Sequence, residues 1–484
     1  MKKEMEIMIE HNRKKIAFCT LGCKVNQYET HSIMQEFIKK GYDIVAFDEF
    51  ADVYAINTCT VTNMSDKKSR QMIRKVKNIN PNAIVAAIGC YAQVSKDELE
   101  KIEDIDIILG TADKKYLLEE VEIMLQNQNQ KISQVSDIMK QRTYTEFENA
   151  TFPEKTRVEI KVQDGCDRFC SYCIIPYARG PVRSRSVESI VQEIKAVVKD
   201  KDVKEVVITG IHIASYGKDF KLDKKIGLID LLEEINKIEN IKRIRLGSLE
   251  PTIITEEFVT RLKRLEKICD HFHLSLQSGC DETLKRMNRR YTIEQFKQSV
   301  ELLRKNYSNV ALTTDIIVGF PGETKEEFEK TYKFLKEIKF SKMHIFKYSP
   351  RKGTKARSMP NQIDGNIKEE RSNKLIELSN LDEKEFASKF INKEVQVLFE
   401  EQDENGYFKG HTSNYLVVKV KSSKDLQNEM KNVIIKSINE KNELVGIWKK
   451  HFLIYITKKM FYNKYILLKM ANKTRWILKI PYKM

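Results

Sequence analysis

The sequence contains no long apolar run. Nowhere in its 484 residues does a stretch approach the roughly 18 uninterrupted apolar residues that a membrane-spanning helix requires. The first residues, Met1 to Glu6, lead into no apolar segment and no small-residue cleavage site of a secretory leader. We therefore expect a cytoplasmic protein with no transmembrane segment, and the chain length predicts about three domains.

Acidic residues are missing from the last part of the chain. Residues 449–484 contain ten Lys or Arg and no Asp or Glu. Subtracting these ten charges from the net charge of +16 leaves +6 for the other 448 residues. This modest excess is compatible with RNA binding without requiring it. For the basic tail, three roles remain open: an RNA-binding arm, a membrane-surface segment, or an extension without a selected role.

The cysteines do not form an even set. There are nine, and an odd number in a reducing compartment indicates ligands or core residues rather than a disulfide framework. Three of them, Cys166, Cys170 and Cys173, have C-x3-C-x2-C spacing, with Tyr172 before the third. Structural zinc usually takes four ligands, and no fourth Cys or His lies nearby. Three thiolates suit a cube-shaped [4Fe-4S] cluster whose open iron can hold a small molecule by its amino and carboxylate groups.

Residues 14–125 alternate apolar runs with helical patterns, which predicts a doubly wound α/β domain with a mostly parallel sheet. Cys23, Cys59 and Cys90 each follow the carboxyl end of one of these strands. Ligands bind at that edge in open α/β sheets, so the three cysteines are candidate ligands of a shared cluster. The alternative is that they are small core hydrophobes, as we expect for Cys19 inside its strand.

After a polar linker over 126–154, six apolar strands alternate with helices from about 155 to 365. This pattern predicts a partial (βα)6 barrel with its active site at the carboxyl ends of the strands, where the Cys166–Cys173 loop begins. The same edge collects residues that could bind a cofactor, with ordinary turn and capping roles as the alternative. With Tyr172, these candidates are Gly210, Ser248, Glu250, Gln277 and Asp315. Cys269 and Cys280 lack companions at ligand spacing and are expected to be structural or free thiols.

The C-terminal region begins with a charged helix, roughly 367–390, and continues with short alternating strands. They predict a small antiparallel barrel over about 386–448. Aromatic and cationic side chains there could stack on RNA bases and pair with phosphates. The alternative is a solvated surface with the aromatics in the core. The candidate RNA contacts are Lys393, Tyr407, Lys409, His411, Tyr415 and Lys419.

The chain resembles the radical S-adenosylmethionine (SAM) methylthiotransferases over residues 14 to about 448. The matching motifs are Thr20–Glu29, Asn57–Thr62, Ile88–Gln93, Cys166–Cys173, Leu274–Gly279 and Asp315–Glu323. The resemblance implies an N-terminal cluster domain (14–125), a radical SAM domain with its following helix (155–385) and a TRAM domain (386–448). Gly22–Glu29 and Gly410–Tyr415 look most like the subgroup acting on N6-threonylcarbamoyladenosine at position 37 of tRNA. The tail beyond Trp448 departs from the family pattern.

The same resemblance implies a mechanism with two [4Fe-4S] clusters. Cys166, Cys170 and Cys173 would hold the cluster that binds SAM and cleaves it to a 5′-deoxyadenosyl radical, while Cys23, Cys59 and Cys90 would hold an auxiliary cluster that supplies sulfur. The adenine C2–H has no acidic proton, so no catalytic acid–base residue is expected. The implied partners are the anticodon loop of ANN-decoding tRNA, an electron donor such as flavodoxin or ferredoxin, and a sulfur donor.

Three other functions remain open on the sequence. A related methylthiotransferase could act on isopentenyladenosine-37 of tRNA, and another could act on a ribosomal-protein aspartate. A non-catalytic iron–sulfur RNA-binding protein belongs to a different class, and the open three-cysteine motif argues against it.

Overall fold

The structure is a computed structural model that describes residues 13–126, 130–147, 156–221 and 226–448. The chain divides into two compact units, residues 1–382 and 383–484. The predicted tail 449–484 lies outside the described residues, as do residues 127–129 and 148–154 of the predicted linker. Among the residues described, no helix combines the length and apolar character needed to cross a bilayer.

The first unit begins with a six-stranded parallel sheet of order β2-β1-β3-β4-β5-β6. Its strands are β1 (Lys15–Thr20), β2 (Asp43–Val45), β3 (Val53–Thr58), β4 (Ile84–Gly89), β5 (Ile107–Leu109) and β6 (Ile132–Gln134). Its helices are α1 (Lys24–Lys40), α2 (Asn63–Ile79), α3 (Cys90–Val94), α4 (Lys96–Glu100) and α5 (Leu117–Gln126).

Strand β3 shows why this sheet is covered on both faces. All six of its residues are buried, and alternate side chains of a strand point to opposite faces. Val53 and Ala55 belong to one core cluster, whereas Tyr54 and Ile56 belong to another. The predicted doubly wound α/β domain is thereby confirmed.

The six predicted strands of the central region are all present. They are β7 (Arg157–Asp164), β9 (Glu205–Gly210), β10 (Arg243–Leu246), β11 (His271–His273), β12 (Ala311–Val318) and β13 (Lys342–Lys347). A short strand, β8 (Arg183–Ser184), pairs antiparallel with β7, giving pieces of order β10-β9-β7-β8 and β11-β12-β13. A parallel bridge between Leu249 and Leu274 joins the two pieces. Among the described residues β13 does not pair with β7 or β8, so the barrel is partial.

Helices connect these strands and cover the barrel. They are α6 (Ile175–Arg179), α7 (Val187–Lys201), α8 (Leu228–Asn236), α9 (Glu256–Lys263), α10 (Asp281–Arg286), α11 (Ile293–Asn306) and α12 (Lys325–Ile338). A long helix, α13 (Gly365–Ser388), follows the last strand, close to its predicted range. One core cluster contains Tyr28 and Phe37 of α1 together with Val158 of β7 and Ile190 of α7. The N-terminal sheet and the barrel therefore share a core within the first unit.

The second unit is a closed five-stranded barrel of order β14-β15-β16-β18-β17. Its strands are β14 (Glu394–Gln402), β15 (Tyr407–Thr412), β16 (Val417–Lys421), β17 (Met430–Ile438) and β18 (Leu444–Trp448). The predicted small barrel is confirmed, and four of its strand pairs are antiparallel, but β16 and β18 pair in parallel. Directions cannot alternate all the way around a closed ring with an odd number of strands, so one neighbouring pair must run parallel.

Candidate cluster-binding site

The three N-terminal cysteines follow three strands that are neighbours in the sheet. Cys23 caps the start of α1 after β1, Cys59 follows β3 directly, and Cys90 is the first residue of α3 after β4. Strands β1, β3 and β4 are adjacent, so the three thiols lie side by side at the carboxyl edge, as predicted from the sequence.

Gly22 and Asn26 shape this edge of the sheet. Gly22 has φ +99°, and a Cβ atom there would lie 2.8 Å from Cys59 Sγ. The position therefore requires glycine, both for its left-handed backbone and for the close approach of Cys59. Asn26 Nδ2 donates to the carbonyls of Leu21 at 2.7 Å and Thr58 at 3.1 Å, which ties the two cysteine loops together.

The close spacing of these three thiols suits the binding of a positively charged group. Burial raises the pKa of the Cys59 thiol above its ordinary value, and the neighbouring Cys90 and Cys23 act in the same direction. Thiolates crowded together in this way repel one another unless a cation separates them. Iron supplies that positive charge, so the donor set fits an iron–sulfur cluster.

The barrel cysteines stand on the loop after β7. Gly165 opens this loop with φ +72°, and a Cβ atom there would lie 1.8 Å from the carbonyl of Pro181. Burial raises the pKa of Cys166 to about 11 and that of Cys173 to about 12, with Cys170 adding to both shifts. Arg289 Nη1 donates to Cys170 Sγ at 3.2 Å. Three thiolates held beside a guanidinium also fit an iron–sulfur cluster.

No compact single-ion site accompanies these cysteines. Among the residues described, no three or more His, Cys, Asp or Glu side chains are grouped so as to hold one metal ion. Cys269 and Cys280 are buried, and Cys280 Sγ donates to Glu282 Oε2 at 2.9 Å.

Among the candidate cofactor residues, Glu250 is the most strongly engaged. It forms ion pairs with Arg168 of the cysteine loop and with Arg289 Nη2 at 3.8 Å, and its Oε2 atom lies 3.4 Å from His212 Nε2. Burial acts to raise the pKa of Glu250, but hydrogen bonding by His212 and the charges of Arg289 and Arg168 lower it to about 2. In the structure this carboxylate therefore orients the cysteine loop.

The other candidate cofactor residues are distributed along the barrel. Gly210 ends β9, and Ser248 is exposed after β10. Gln277 has φ +70° and bridges to Ile316, while the Tyr172 ring packs edge-on against Phe320. Asp315 lies inside β12, three residues before the end of the strand. Its Oδ2 atom lies 3.3 Å from His273 Nε2, so it faces the barrel interior.

A buried ionic network, which sequence reasoning missed, joins the two sets of cysteines. Glu29 of α1 accepts from Arg179 Nη1 at 2.6 Å and from Lys161 Nζ at 2.7 Å, and it also pairs with Lys114. Arg179 Nε donates to Cys90 Sγ at 3.3 Å. Single charged residues in a sequence look like surface residues, and no pattern marked these as buried.

A second contact connects the other edge of the barrel to the N-terminal sheet. Arg351, which follows β13, donates to Asn63 Oδ1, Thr60 Oγ1 and Asp66 Oδ2, each at 2.6 Å. These partners come shortly after Cys59. Arg179 near β7 and Arg351 near β13 therefore hold the cysteine-bearing segments of the N-terminal domain against the barrel at two places.

A cavity of about 600 Å³ opens beside the two cysteine loops. Its lining includes the exposed ring of Tyr177, which is in edge-on contact with the exposed ring of Phe169. Lys352 and Arg357 also line it, are exposed, and form no ion pair with any residue that the structure describes. Exposed aromatic rings beside unpaired cations suit a nucleic-acid ligand.

The candidate RNA residues of the second unit lie largely on the outer face of its barrel. Side chains of β15 alternate between partial exposure and burial, and Lys409 stands directly opposite Lys419 of β16. These lysines pair with acids, Lys409 with Glu401 at 3.4 Å and Lys419 with Glu443 at 3.4 Å. The remaining candidates are Lys393, which is exposed, Tyr407, whose ring faces Lys421, and His411 and Tyr415, which stack at 4.7 Å.

Comparison with known proteins gives two family matches. Residues 160–335 match the Radical SAM superfamily, and residues 15–110 match an uncharacterized protein family, UPF0004. Among solved structures, the chain is similar to a radical S-adenosylmethionine methyltransferase, TsrM, from Kitasatospora setae. That match has a TM-score of 0.49 and 15% identity, and it covers 69% of this chain and 73% of that one.

Curated relatives match most of the chain. Threonylcarbamoyladenosine tRNA methylthiotransferase MtaB of Bacillus subtilis is 44% identical over 87% of this chain and 93% of its own length. The protein of the same name from Aquifex aeolicus is 42% identical over 85% of this chain and 98% of its own. The tRNA-2-methylthio-N(6)-dimethylallyladenosine synthase of Methylacidiphilum infernorum is 36% identical over 82% and 87%, respectively.

Proposed function

The chain belongs to the radical SAM methylthiotransferase family, and from this membership we propose that it methylthiolates N6-threonylcarbamoyladenosine at position 37 of tRNA. The product is 2-methylthio-N6-threonylcarbamoyladenosine. The MtaB name of the 44% and 42% identical relatives favours this nucleoside over dimethylallyladenosine, whose synthase is 36% identical. Because the substrate is tRNA, the reaction belongs to the cytoplasm.

One structural observation supports the proposal independently of the family match. Two sets of three cysteines lie in one unit, and Arg179, six residues after Cys173, contacts Cys90 of the other set. A radical SAM family member binds SAM and a [4Fe-4S] cluster. A second set of thiols beside the first supports a second cluster, held by Cys23, Cys59 and Cys90.

The residues of the chain then take distinct roles. Cys166, Cys170 and Cys173 hold one cluster, and Arg289 and the Glu250–Arg168 pair orient their loop. Tyr172, Gly210, Ser248, Gln277 and Asp315 remain the proposed SAM contacts. When bound, SAM and the two clusters supply the radical, the sulfur and the methyl group. The protein aligns them, and no acid–base residue is needed to remove an aromatic hydrogen.

The proposed domains follow the same division. Residues 14–125 carry the auxiliary cluster, 155–385 form the radical SAM domain with its following helix, and 386–448 form a TRAM domain that binds RNA. The outer face bearing Tyr407, Lys409 and Lys419 supports that last role. The anticodon loop of ANN-decoding tRNA is the substrate region, because its unpaired adenine costs little to expose. An electron donor and a sulfur donor complete the reaction.

Nucleoside mass spectrometry of tRNA from a deletion strain tests the substrate. The 2-methylthio-N6-threonylcarbamoyladenosine signal should disappear and return when the unmodified gene is restored. It should not return with a Cys173→Ala gene. If 2-methylthio-isopentenyladenosine disappears instead, the enzyme acts on isopentenyladenosine-37. If the deletion abolishes the transfer of label from SAM to a ribosomal protein, the enzyme acts on the ribosomal-protein aspartate.

Replacing Cys59 with Ala tests the auxiliary cluster. After cluster reconstitution, SAM cleavage to 5′-deoxyadenosine should continue while methylthiolation is lost, because only the sulfur-supplying site is damaged. Cys19→Ala is the matched control, since Cys19 lies within β1 and pairs with Ile56 of β3 instead of standing on the loop that carries Cys23, and it should retain both reactions. Methylthiolation by the Cys59→Ala enzyme would exclude this assignment. Absence of 5′-deoxyadenosine from the unmodified enzyme would favour a non-catalytic RNA-binding protein.

A further inference from the structure

A fully buried group of charges lies between the two cysteine loops. It consists of four cations, Lys114, Lys161, Arg179 and Arg183, and two carboxylates, Glu29 and Asp164, each with at most 4% of its surface exposed. Lys161 Nζ lies 2.6 Å and Arg183 Nη2 lies 3.6 Å from Asp164 Oδ2, and Glu29 pairs with the other three cations, Lys161 included. Four positive charges against two negative ones leave two positive charges, and one of these cations, Arg179, contacts the thiol of Cys90.

Arg179 uses every nitrogen of its guanidinium in this network. Nη1 donates to Glu29 Oε1 at 2.6 Å, Nη2 donates to Glu29 Oε2 at 3.0 Å and to Asn26 Oδ1, and Nε donates to Cys90 Sγ at 3.3 Å. Asn26 and Glu29 lie on the helix that Cys23 caps, and Asp164 comes two residues before Cys166. One side chain from the barrel thus contacts or adjoins the loops of Cys23, Cys90 and Cys166.

Stability alone does not explain such a network. Burying ions carries a desolvation cost that their attraction only partly offsets, and apolar replacements of similar volume often stabilise a protein equally well. The planar guanidinium of an arginine holds five N–H donors in a fixed arrangement. The flexible ammonium group of a lysine cannot reproduce that arrangement. The arrangement therefore favours positioning as the role of Arg179.

We propose that Arg179 is a positioning residue for methylthiolation. It fixes the Cys90 loop of the N-terminal sheet against the Cys166–Cys173 loop of the barrel, and its Nε–H group donates to the Cys90 ligand of the auxiliary cluster. This inference rests on the proposed two-cluster function. Charge-assisted hydrogen bonds to cluster sulfurs stabilise the reduced, more negative state and raise the reduction potential. Loss of fixed geometry between two reacting sites lowers the rate even when both sites are intact.

The test compares Arg179→Lys with Arg245→Lys. Arg245 is nearly as buried as Arg179 and binds Glu205 through Nε at 2.6 Å and Nη2 at 3.1 Å, and it lies on β10, outside the loops of both cysteine sets. Three quantities are measured: iron and sulfide per chain, methylthiolated product per 5′-deoxyadenosine formed, and the reduction potential of the auxiliary cluster. The potential is measured in chains that also carry Cys166→Ala, Cys170→Ala and Cys173→Ala, so that only one cluster contributes.

Arg179→Lys should keep the iron content and the SAM cleavage rate. Product per 5′-deoxyadenosine should fall at least tenfold, and the auxiliary potential should become more negative, while Arg245→Lys changes neither quantity. An unchanged ratio and potential in Arg179→Lys, or the same changes in Arg245→Lys, would overturn the proposal.

If Arg179→Lys loses iron, Glu29→Gln serves as the second variant, because it removes the partner charge of Arg179 without altering the hydrogen bond from Arg179 to Cys90. The lower product ratio is then expected, with an unchanged ratio counting against the proposal.

The proposed function can fail separately. If the unmodified enzyme forms no methylthiolated nucleoside but the auxiliary potential still falls in Arg179→Lys, the role of Arg179 at the cluster stands and the substrate assignment is wrong.

Discussion

At the scale of single residues, one buried histidine makes the stability of the barrel depend on pH. His271 of β11 is 7% exposed, and its Nε2 atom lies 3.1 Å from Thr313 Oγ1. Burial lowers the pKa of His271 well below its ordinary value, and the cations Arg245 and Lys24 and the rings of His273 and His344 act in the same direction. The folded protein therefore keeps this ring neutral.

The unfolded chain, by contrast, binds a proton on this ring below about pH 6.5. Because the unfolded state then holds more protons, lowering the pH stabilises it, and the free energy of unfolding falls by up to about 1.4 kcal/mol per pH unit. Urea unfolding at about pH 7.5 and about pH 5.5 should show the unmodified protein losing about 1.4 kcal/mol more than His271→Gln. Equal losses in both proteins would contradict the prediction.

At the scale of elements, the predictable features were those that many residues encode together. Val53–Thr58 is an apolar run flanked by polar residues, and it forms a buried strand as expected. The short edge strands β2 and β6 were not predicted. Each has only three residues, all partly exposed, and so short a segment shows little hydrophobic pattern. The three cysteine positions after strands were also predicted, because parallel strands bring their carboxyl ends to one edge.

Features that depend on tertiary contacts were not predictable. Nothing in a single sequence distinguishes Glu29 or Arg179, both fully buried, from an exposed charge on a helix. The parallel β16–β18 pair likewise follows from ring closure and leaves no local pattern.

The turn between β1 and α1 gives a prediction at this scale. Gly22 and Gly41 both have left-handed backbones, with φ +99° and +95°, but a Cβ atom meets Cys59 Sγ at 2.8 Å in the first and nothing within 4 Å in the second. Each Ala substitution should cost about 1–2 kcal/mol of backbone strain. Gly22→Ala should also displace Cys59, so that reconstituted protein binds about half the iron of the unmodified chain.

Iron analysis and thermal unfolding of both variants check this expectation. Gly41→Ala serves as the control for backbone strain and should retain full iron content. The account of Gly22 is wrong if both variants bind the same amount of iron.

At the scale of the whole first unit, two polar contacts hold the barrel against the N-terminal domain. Arg351 binds it next to β13, and the Glu29–Arg179 network binds it next to β7. With these contacts in place, the cavity containing Tyr177, Lys352 and Arg357 lies next to the segments that follow Cys59, Cys90 and Cys173. An RNA base seated there would lie near the segments that follow both cysteine sets, and we therefore predict that the cavity contacts the tRNA.

Binding of unmodified tRNA at several salt concentrations tests this role. Tyr177→Ala should weaken binding by about 1–3 kcal/mol, the range for base–aromatic stacking, without changing the salt dependence. Removing Lys352 and Arg357 together should lower the slope of log affinity against log salt by about two, one for each lost phosphate contact. Phe50→Ala is the control for Tyr177, since Phe50 is 60% exposed but lies just before β3, at the sheet edge opposite the cysteines. Equal losses in Tyr177→Ala and Phe50→Ala, or an unchanged slope in the double variant, would place the RNA elsewhere on the protein.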